Sequence, residues 1–354
     1  MADIAAVPVK KPHFLWIEMV RLLGIWLVII AHIGTTDFLQ RLFDVLILQV
    51  LIFVSGYLER NDRPFRETLT KGVKGLFVPY LLLSVLLYVY WLIMDIVFHR
   101  DIYTLLSTER NLPAALLKPV IGIFLSNGQY ETPYSMMLAF AMWYLPVVFI
   151  LKMAHRAVMV ISRGNRRHYF VCLAVSLLLI MAFRNYIQPL GLVPPFCLDR
   201  ALLLFPFFEF GNILKEMNVI RPLEKLTFRF ASLCIVTGTI GFITLGMILP
   251  LWNGNSTFLY LLLGMTAIVS VISFSMLYTR PNALISLMSN GTLLILAFHA
   301  VFIPFARRLF AMLKIDGYLY SVILQSLLIL CIFIIPINIA QKYFPVLIGS
   351  RKSG

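Results

Sequence analysis

Apolar stretches about long enough to cross a bilayer recur ten times along the chain, at residues 14–34, 38–59, 76–98, 136–154, 169–187, 198–214, 230–250, 257–278, 289–310 and 318–340. In lipid every backbone N–H and C=O must be satisfied without water, so only helices or closed barrels can span. A barrel would show segments of about ten residues with alternating hydrophobicity, and the chain has none. The expected fold is therefore all-α, a polytopic helical membrane protein with about ten transmembrane helices. Composition agrees: 60% of residues are hydrophobic, 13% are charged, and the mean hydropathy is +0.90. The sixth stretch holds Asp199, Arg200 and Glu209, and the ninth holds His299.

Basic residues set the expected orientation. With the N-terminus inside, 20 of the 30 Lys and Arg residues fall in inner segments. Nine fall outside or at outer span ends, and Arg21 lies within the first span. The positive-inside rule then favours N-in and C-in. The net charge of +14 sits in these short loops, where it meets anionic lipid headgroups and does not point to nucleic acid. Residues 1–13 and 341–354 are expected to be cytoplasmic tails around a membrane domain at 14–340. The longest connection, 99–135, is placed outside, and its apolar piece 116–125 is expected to lie along the membrane or re-enter it. Cys172, Cys197, Cys234 and Cys331 stand in or beside apolar runs without metal-ligand spacing and read as packing residues. The N-terminus has no small-residue cleavage site, so the first span is expected to be retained.

The first stretch is the chemically loaded one. Ionisable groups in a spanning helix are costly and mark function by default, and this one carries Glu18, Arg21 and His32. Arg21 and His32 are separated by eleven positions, about three turns, so they share a face roughly 16 Å apart. Glu18 precedes Arg21 by three residues, a spacing that allows an ion pair. Histidine titrates near working pH, which suits a general base, and Asp37 just past the helix end is a candidate partner for the ring. The alternative is an interfacial histidine hydrogen-bonded to a neighbour.

Other candidates are weaker. Arg63, Arg66, Lys71 and Lys74 precede a Pro-Tyr that opens the third span, a setting that suits phosphates or simple positive-inside topology. Trp143 and Tyr144 read as core or interfacial aromatics, or as a wall for a sugar ring or acyl chain. Glu209 reads as structurally paired, Asp199 and Arg200 as paired with each other, and His299 as a core histidine or a second site histidine. The nucleophile elbow, the phosphate-binding loop, the H-E-x-x-H zinc motif and the dinucleotide fingerprint are absent.

In order and spacing these residues resemble the acyltransferase-3 family of integral membrane acyltransferases. The resemblance covers nearly the whole chain. It rests on Glu18, Arg21 and His32 in the first span, LIFVSGYL at 51–58, KGVKGLFVPY at 71–80, WYLPVVF at 143–149 and SNGTLLILAFHAVF at 289–302. The WYLP form is similar to the branch of sugar O-acetylases and exopolysaccharide-modifying enzymes. Lys71 and Lys74 depart from arginines common in the family, and no appended esterase domain is expected.

The resemblance implies an acyl-CoA-dependent O-acyltransferase in the bacterial cytoplasmic (inner) membrane. It would carry an acyl group, acetyl by default, from cytoplasmic acyl-CoA to a hydroxyl of a cell-surface or exported carbohydrate. Acetyl-CoA is then a co-substrate, with no permanently bound cofactor and no metal. His32, Arg21, Glu18 and Asp37 would be catalytic. Arg63, Arg66, Lys71 and Lys74 would bind the acyl-CoA, and Trp143, Tyr144 and His299 the acceptor. Expected partners are membrane lipids, a polysaccharide or lipid-linked sugar, and polysaccharide biosynthesis machinery. The rival readings are a transporter of polysaccharide or lipid-linked sugar, in which buried Glu, Arg and His are equally expected, and a scaffold for a polysaccharide synthase.

Overall fold

A computed structural model describes residues 15–34, 37–98, 112–126, 141–163, 165–187, 190, 194–219, 228–251, 257–315 and 318–349. Side chains are described for all of these except 37–45, 95–98, 112–115, 228–231, 245–251 and 318–319. Among the described residues every regular element is helical. In order these are α1 (Leu15–Ile33), α2 (Asp37–Tyr57) and α3 (Phe65–Gly72), which runs through a π-helical segment, Val73–Phe77, into α4 (Val78–Phe98). Next come α5 (Leu112–Leu125), α6 (Tyr144–Ser162), α7 (Arg166–Ala182), α8 (Leu198–Glu216), α9 (Phe228–Leu251) and α10 (Thr257–Met276). The last four are α11 (Ala283–Asn290), α12 (Thr292–Met312), α13 (Tyr318–Ile332) and α14 (Ile334–Tyr343).

Seven helical segments among the described residues are long and apolar enough to cross a bilayer: Leu15–Ile33, Phe65–Met94, Ala141–Ser162, Arg166–Ile187, Thr257–Met276, Thr292–Met312 and Tyr320–Tyr343. The protein is thus a multi-pass membrane protein built from helices. The other three expected spans coincide with α2, α8 and α9. In α2 and α9 the apolar part is shorter among the described residues, Leu46–Tyr57 and Ser232–Thr244. In α8 the run is interrupted by Asp199, Arg200, Glu209, Lys215 and Glu216.

Several boundaries move relative to the sequence reading. The expected inner loop ahead of the third span is helical from Phe65, because Glu67 and Lys71 pair across one turn and Thr68 and Gly72 turn inward. Within the long connection, 112–125 is α5 despite Pro119. Tyr80 donates to the Ile123 carbonyl, and Tyr88 donates to the Leu116 carbonyl at 2.9 Å, which pins α5 to α4. Residues 341–343 complete α14, and a 3-10 turn, Pro345–Ile348, follows it.

The first helix lies at the centre. It packs against α2, α10, α11, α12 and α13, and its apolar window is 61% buried against 11–39% in the other six. That burial explains why its apolar residues run around the whole helix rather than along one stripe. The outer helices turn apolar side chains outward, for example Leu82, Val85, Leu86, Val89 and Ile93 on α4, as lipid contact requires. Among the described residues all four cysteines are free thiols.

One polar knot sits where α2 turns toward α3. The buried carboxylate of Glu209 on α8 lies 2.9 Å from His155 Nδ1 on α6 and accepts from the Tyr169 hydroxyl on α7. His155 Nε2 reaches Asn61 Oδ1 at 3.0 Å, and Arg156 donates to the Asn61 carbonyl at 2.7 Å. Lys152 pairs with the buried Glu59, and Lys215 donates to the Glu59 carbonyl. Glu209 therefore fastens three helices, α6, α7 and α8, in line with the structural pairing read for it. Changing Glu209→Gln removes the charge that two donors share. Each such bond is worth about 1.5–3 kcal/mol, so the melting temperature in detergent should fall by several degrees. A variant melting with the wild type would remove the knot from the account of stability.

Candidate active site

A cavity of about 1280 Å³ opens along one face of α1. Ligand pockets commonly hold about 300–1,000 Å³, so this one has room for two substrates in line. Arg21, Ile25, Val28 and His32 line it, successive positions on one helical face, as the spacing of Arg21 and His32 requires. The helix thus offers a guanidinium at one depth and an imidazole three turns on.

His32 is oriented by its own helix. Its Nδ1 lies 2.7 Å from the Val28 carbonyl. A carbonyl only accepts, so Nδ1 carries the proton and the lone pair is on Nε2, the tautomer a base needs. Behind it stands His299 from α12, fully buried, with ring centroids 4.9 Å apart. Nδ1 of His299 likewise faces its own backbone, 3.0 Å from the Leu296 carbonyl. The two histidines, 267 positions apart in sequence, are therefore neighbours because α1 packs on α12. The Asp37 side chain lies outside the described residues.

At the other end, Arg21 interacts electrostatically with both Glu18 and Tyr144. Glu18 is buried and accepts from the Ser286 hydroxyl of α11 at 2.7 Å. Tyr144 opens α6 and interacts with Ser55 of α2, and both residues line the cavity. Trp143 lines it as well, with the Arg200 guanidinium 4.1 Å from its ring centroid. Arg200 belongs to this aromatic contact rather than to an ion pair with Asp199. Gln49 donates to the Tyr260 hydroxyl at 2.6 Å, which holds Tyr260 against the cavity from α10.

The four cations assigned to the donor behave differently. None of Arg63, Arg66, Lys71 and Lys74 lines the cavity among the described residues. Lys71 pairs with Glu67, and Arg63 Nε lies 3.8 Å from the same carboxylate. Arg66 and Lys74 are exposed. The residues that do line the rim there are Gly75 and Leu76, in the π-helical segment that follows. A single π-turn inside a helix often marks a functional site. Here it brings backbone to the rim, with open space where a Gly75 Cβ would stand. Gln341 of α14, with Ile348 and Gly349 of the turn that follows it, closes the same rim.

Arg307 was not anticipated in the sequence. It donates to the carbonyl of Ile33, the last residue of α1, and lines the His32 end of the cavity. The signal for it was its place eight residues after His299, a little over two turns on, so on much the same face.

The family model described as an acyltransferase domain matches residues 14–339. The chain belongs to the acyltransferase-3 family. Comparison with curated proteins and with solved structures gives no significant match. Membership makes the protein a membrane acyltransferase, and the cavity along α1 is the place in it where a basic nitrogen, two cationic ends and an aromatic wall meet. Among the described residues no group of three His, Cys, Asp or Glu side chains could hold a metal ion.

Proposed function

We propose that this acyltransferase moves an acetyl group from cytoplasmic acetyl-CoA to a hydroxyl of an exported or cell-surface carbohydrate, with His32 as general base. The observation that carries this reading is one continuous cavity with Arg21 at one depth and the Nε2 lone pair of His32 about 16 Å further along the same helix. That length suits an extended pantetheine arm. In the proposal the protein sits in a bacterial cytoplasmic membrane, N-in and C-in, with ten crossings, so Arg21 faces the donor side. The donor's phosphates approach over the Gly75 rim, where Lys74 and Arg66 on the preceding turns supply charge.

The chemistry runs as follows. His32 Nε2 takes the proton of the acceptor hydroxyl as its oxygen bonds to the thioester carbonyl carbon. The tetrahedral oxyanion collapses, the C–S bond breaks, and the CoA thiolate leaves with the proton returned from His32. The ester and free CoA are the products, so protons and electrons balance. Trp143 and Tyr144 wall the same cavity toward Arg21, and His299 backs the base. The largely apolar walls of the cavity around the base limit access of bulk water and so protect the thioester from hydrolysis.

Inside-out vesicles given radiolabelled acetyl-CoA, with the membrane gradient collapsed, should place label in a carbohydrate fraction. Label only when the protein is present supports the transferase. Sugar crossing the membrane unmodified, with no label incorporated from acetyl-CoA or succinyl-CoA, would overturn it in favour of a carrier.

A further inference from the structure

We propose that Arg307 is a positioning residue for His32: its guanidinium clamps the last turn of α1, and that clamp fixes where the imidazole stands. Its consequence for the reaction rests on the reading of His32 as the base.

The last four carbonyls of an α-helix have no partner within the helix, so helix ends fray unless something outside takes them. His32 stands in this weakest turn of α1, one residue from its end. The next residue after Ile33, Gly34, has φ +113°, in the left-handed region that favours glycine, and the helix stops there. Arg307 of α12 donates an N–H to the Ile33 carbonyl. A Cβ built on Gly34 would lie 3.6 Å from an Arg307 Nη, so the guanidinium covers the point where the chain leaves the helix as well as its last carbonyl. A cation at a helix C-terminus also matches the negative end of the backbone dipole.

Taken alone this is an ordinary cap. Two further contacts make it a mount for the base. The His32 ring is bonded to the Val28 carbonyl of its own helix, so it moves as that turn moves. The ring also lies against His299, with centroids 4.9 Å apart, and His299 belongs to α12 as Arg307 does. The two α12 residues are eight positions apart, about 12 Å along the axis. Side chains lean toward the N-terminus of their helix, so Arg307 reaches back toward the level of His299. One helix thus holds the turn that carries the base at two points, its ring and the backbone just beyond it. Arg307 is exposed, and water there would satisfy the Ile33 carbonyl equally well. Water, however, would tie α1 to nothing. A misplacement of about 1 Å can cost about a hundredfold in rate, so a clamp of this kind acts on catalysis more than on stability.

The test compares wild type with Arg307→Met, which keeps the stem and loses the donors, and Arg307→Lys, which keeps a charged donor. Purified full-length protein is treated with diethyl pyrocarbonate, and the modification of each histidine is timed by peptide mass spectrometry. On the same preparations kcat and KM are measured for acetyl-CoA and for the acceptor. In Arg307→Met, His32 should be modified faster, while His155, fixed in the knot, stays equally slow. Its kcat should fall about ten- to hundredfold with both KM values unchanged. Arg307→Lys should recover part of both effects. Equal His32 modification rates in wild type and Arg307→Met overturn the proposal. So does a lower melting temperature with kcat of the folded protein intact, which is what a merely structural cap predicts. A loss carried by the acceptor's KM alone also overturns it, and makes Arg307 a contact to the acceptor. Modification of His32 needs no transfer. If even the wild type transfers no label, the transferase reading fails, and the clamp is still judged by His32.

Discussion

Replacing His32 by Ala is expected to lower kcat for acetyl transfer by about 10²–10⁴-fold, the usual contribution of a general base, with little change in KM for acetyl-CoA. The split follows from the geometry. In the proposed arrangement the donor is held from the Arg21 end, eleven positions away along α1, so removing the imidazole would take away a proton acceptor and leave the donor's anchor. An interaction made only in the transition state lowers kcat and kcat/KM together. Melting of the variant near the wild-type temperature would separate lost chemistry from lost fold. His32 is only half-buried and its ring bonds within its own helix, so the fold should hold. His299→Ala makes the contrast. That ring is fully buried behind His32 and acts on the reaction only by positioning it. It should cost less in kcat and more in stability, since truncation leaves a cavity beside α1. A His32→Ala protein that transfers label at the wild-type rate would rule out His32 as the base and, with it, the mechanism.

How much of this was legible beforehand varies by residue. The inward face of α1 could be read because the spacing of Arg21 and His32 is a local property of one helix. That α1 is the central helix could also be glimpsed, since a helix apolar all round is buried. The nearness of His299 to His32 could not, because it depends on α12 packing against α1, a contact between distant parts of the chain. Arg200 was read as the partner of its sequence neighbour Asp199. Adjacent residues on a helix do not face each other, and the guanidinium instead lies on Trp143. The basic stretch from Arg63 to Lys74 was read from its charge, the helix start that follows and the resemblance, none of which gives the direction a side chain takes. The π-turn at Val73–Phe77 then turns Gly75 and Leu76, rather than the lysines, to the cavity. Seven of the ten expected crossings were legible as apolar length, and α8 shows the limit of that signal, since its charges serve the knot and the cavity.

The motif FVSGYL was quoted for its resemblance, and the structure supplies a physical reason for its glycine. A Cβ on Gly56 would stand 1.9 Å from the Phe208 carbonyl oxygen of α8. One on Gly211 of α8 would stand 2.1 Å from the Phe53 carbonyl oxygen of α2. The two helices thus touch backbone to backbone, glycine against main chain in both directions, an arrangement small residues allow between membrane helices. Gly56→Ala and Gly211→Ala should therefore be among the most damaging single changes outside the chemistry. A flexible side chain could swing aside, but a carbonyl in a helix cannot, so α2 and α8 must separate. Overpacking commonly costs about 1–3 kcal/mol, and these positions belong at the top of that range or above it. Separation would also disturb the cavity and the knot together, because Ser55 lines the first, while Asn61 beyond α2 and Asn212 next to Gly211 bond within the second. The measurement is thermal melting and monodispersity in detergent, with Gly75→Ala as the control, since nothing lies within 4 Å of a Cβ there. The expected result is a large drop for Gly56→Ala and Gly211→Ala and none for Gly75→Ala. If all three melted alike, the close approach of α2 and α8 would have no part in holding the site together.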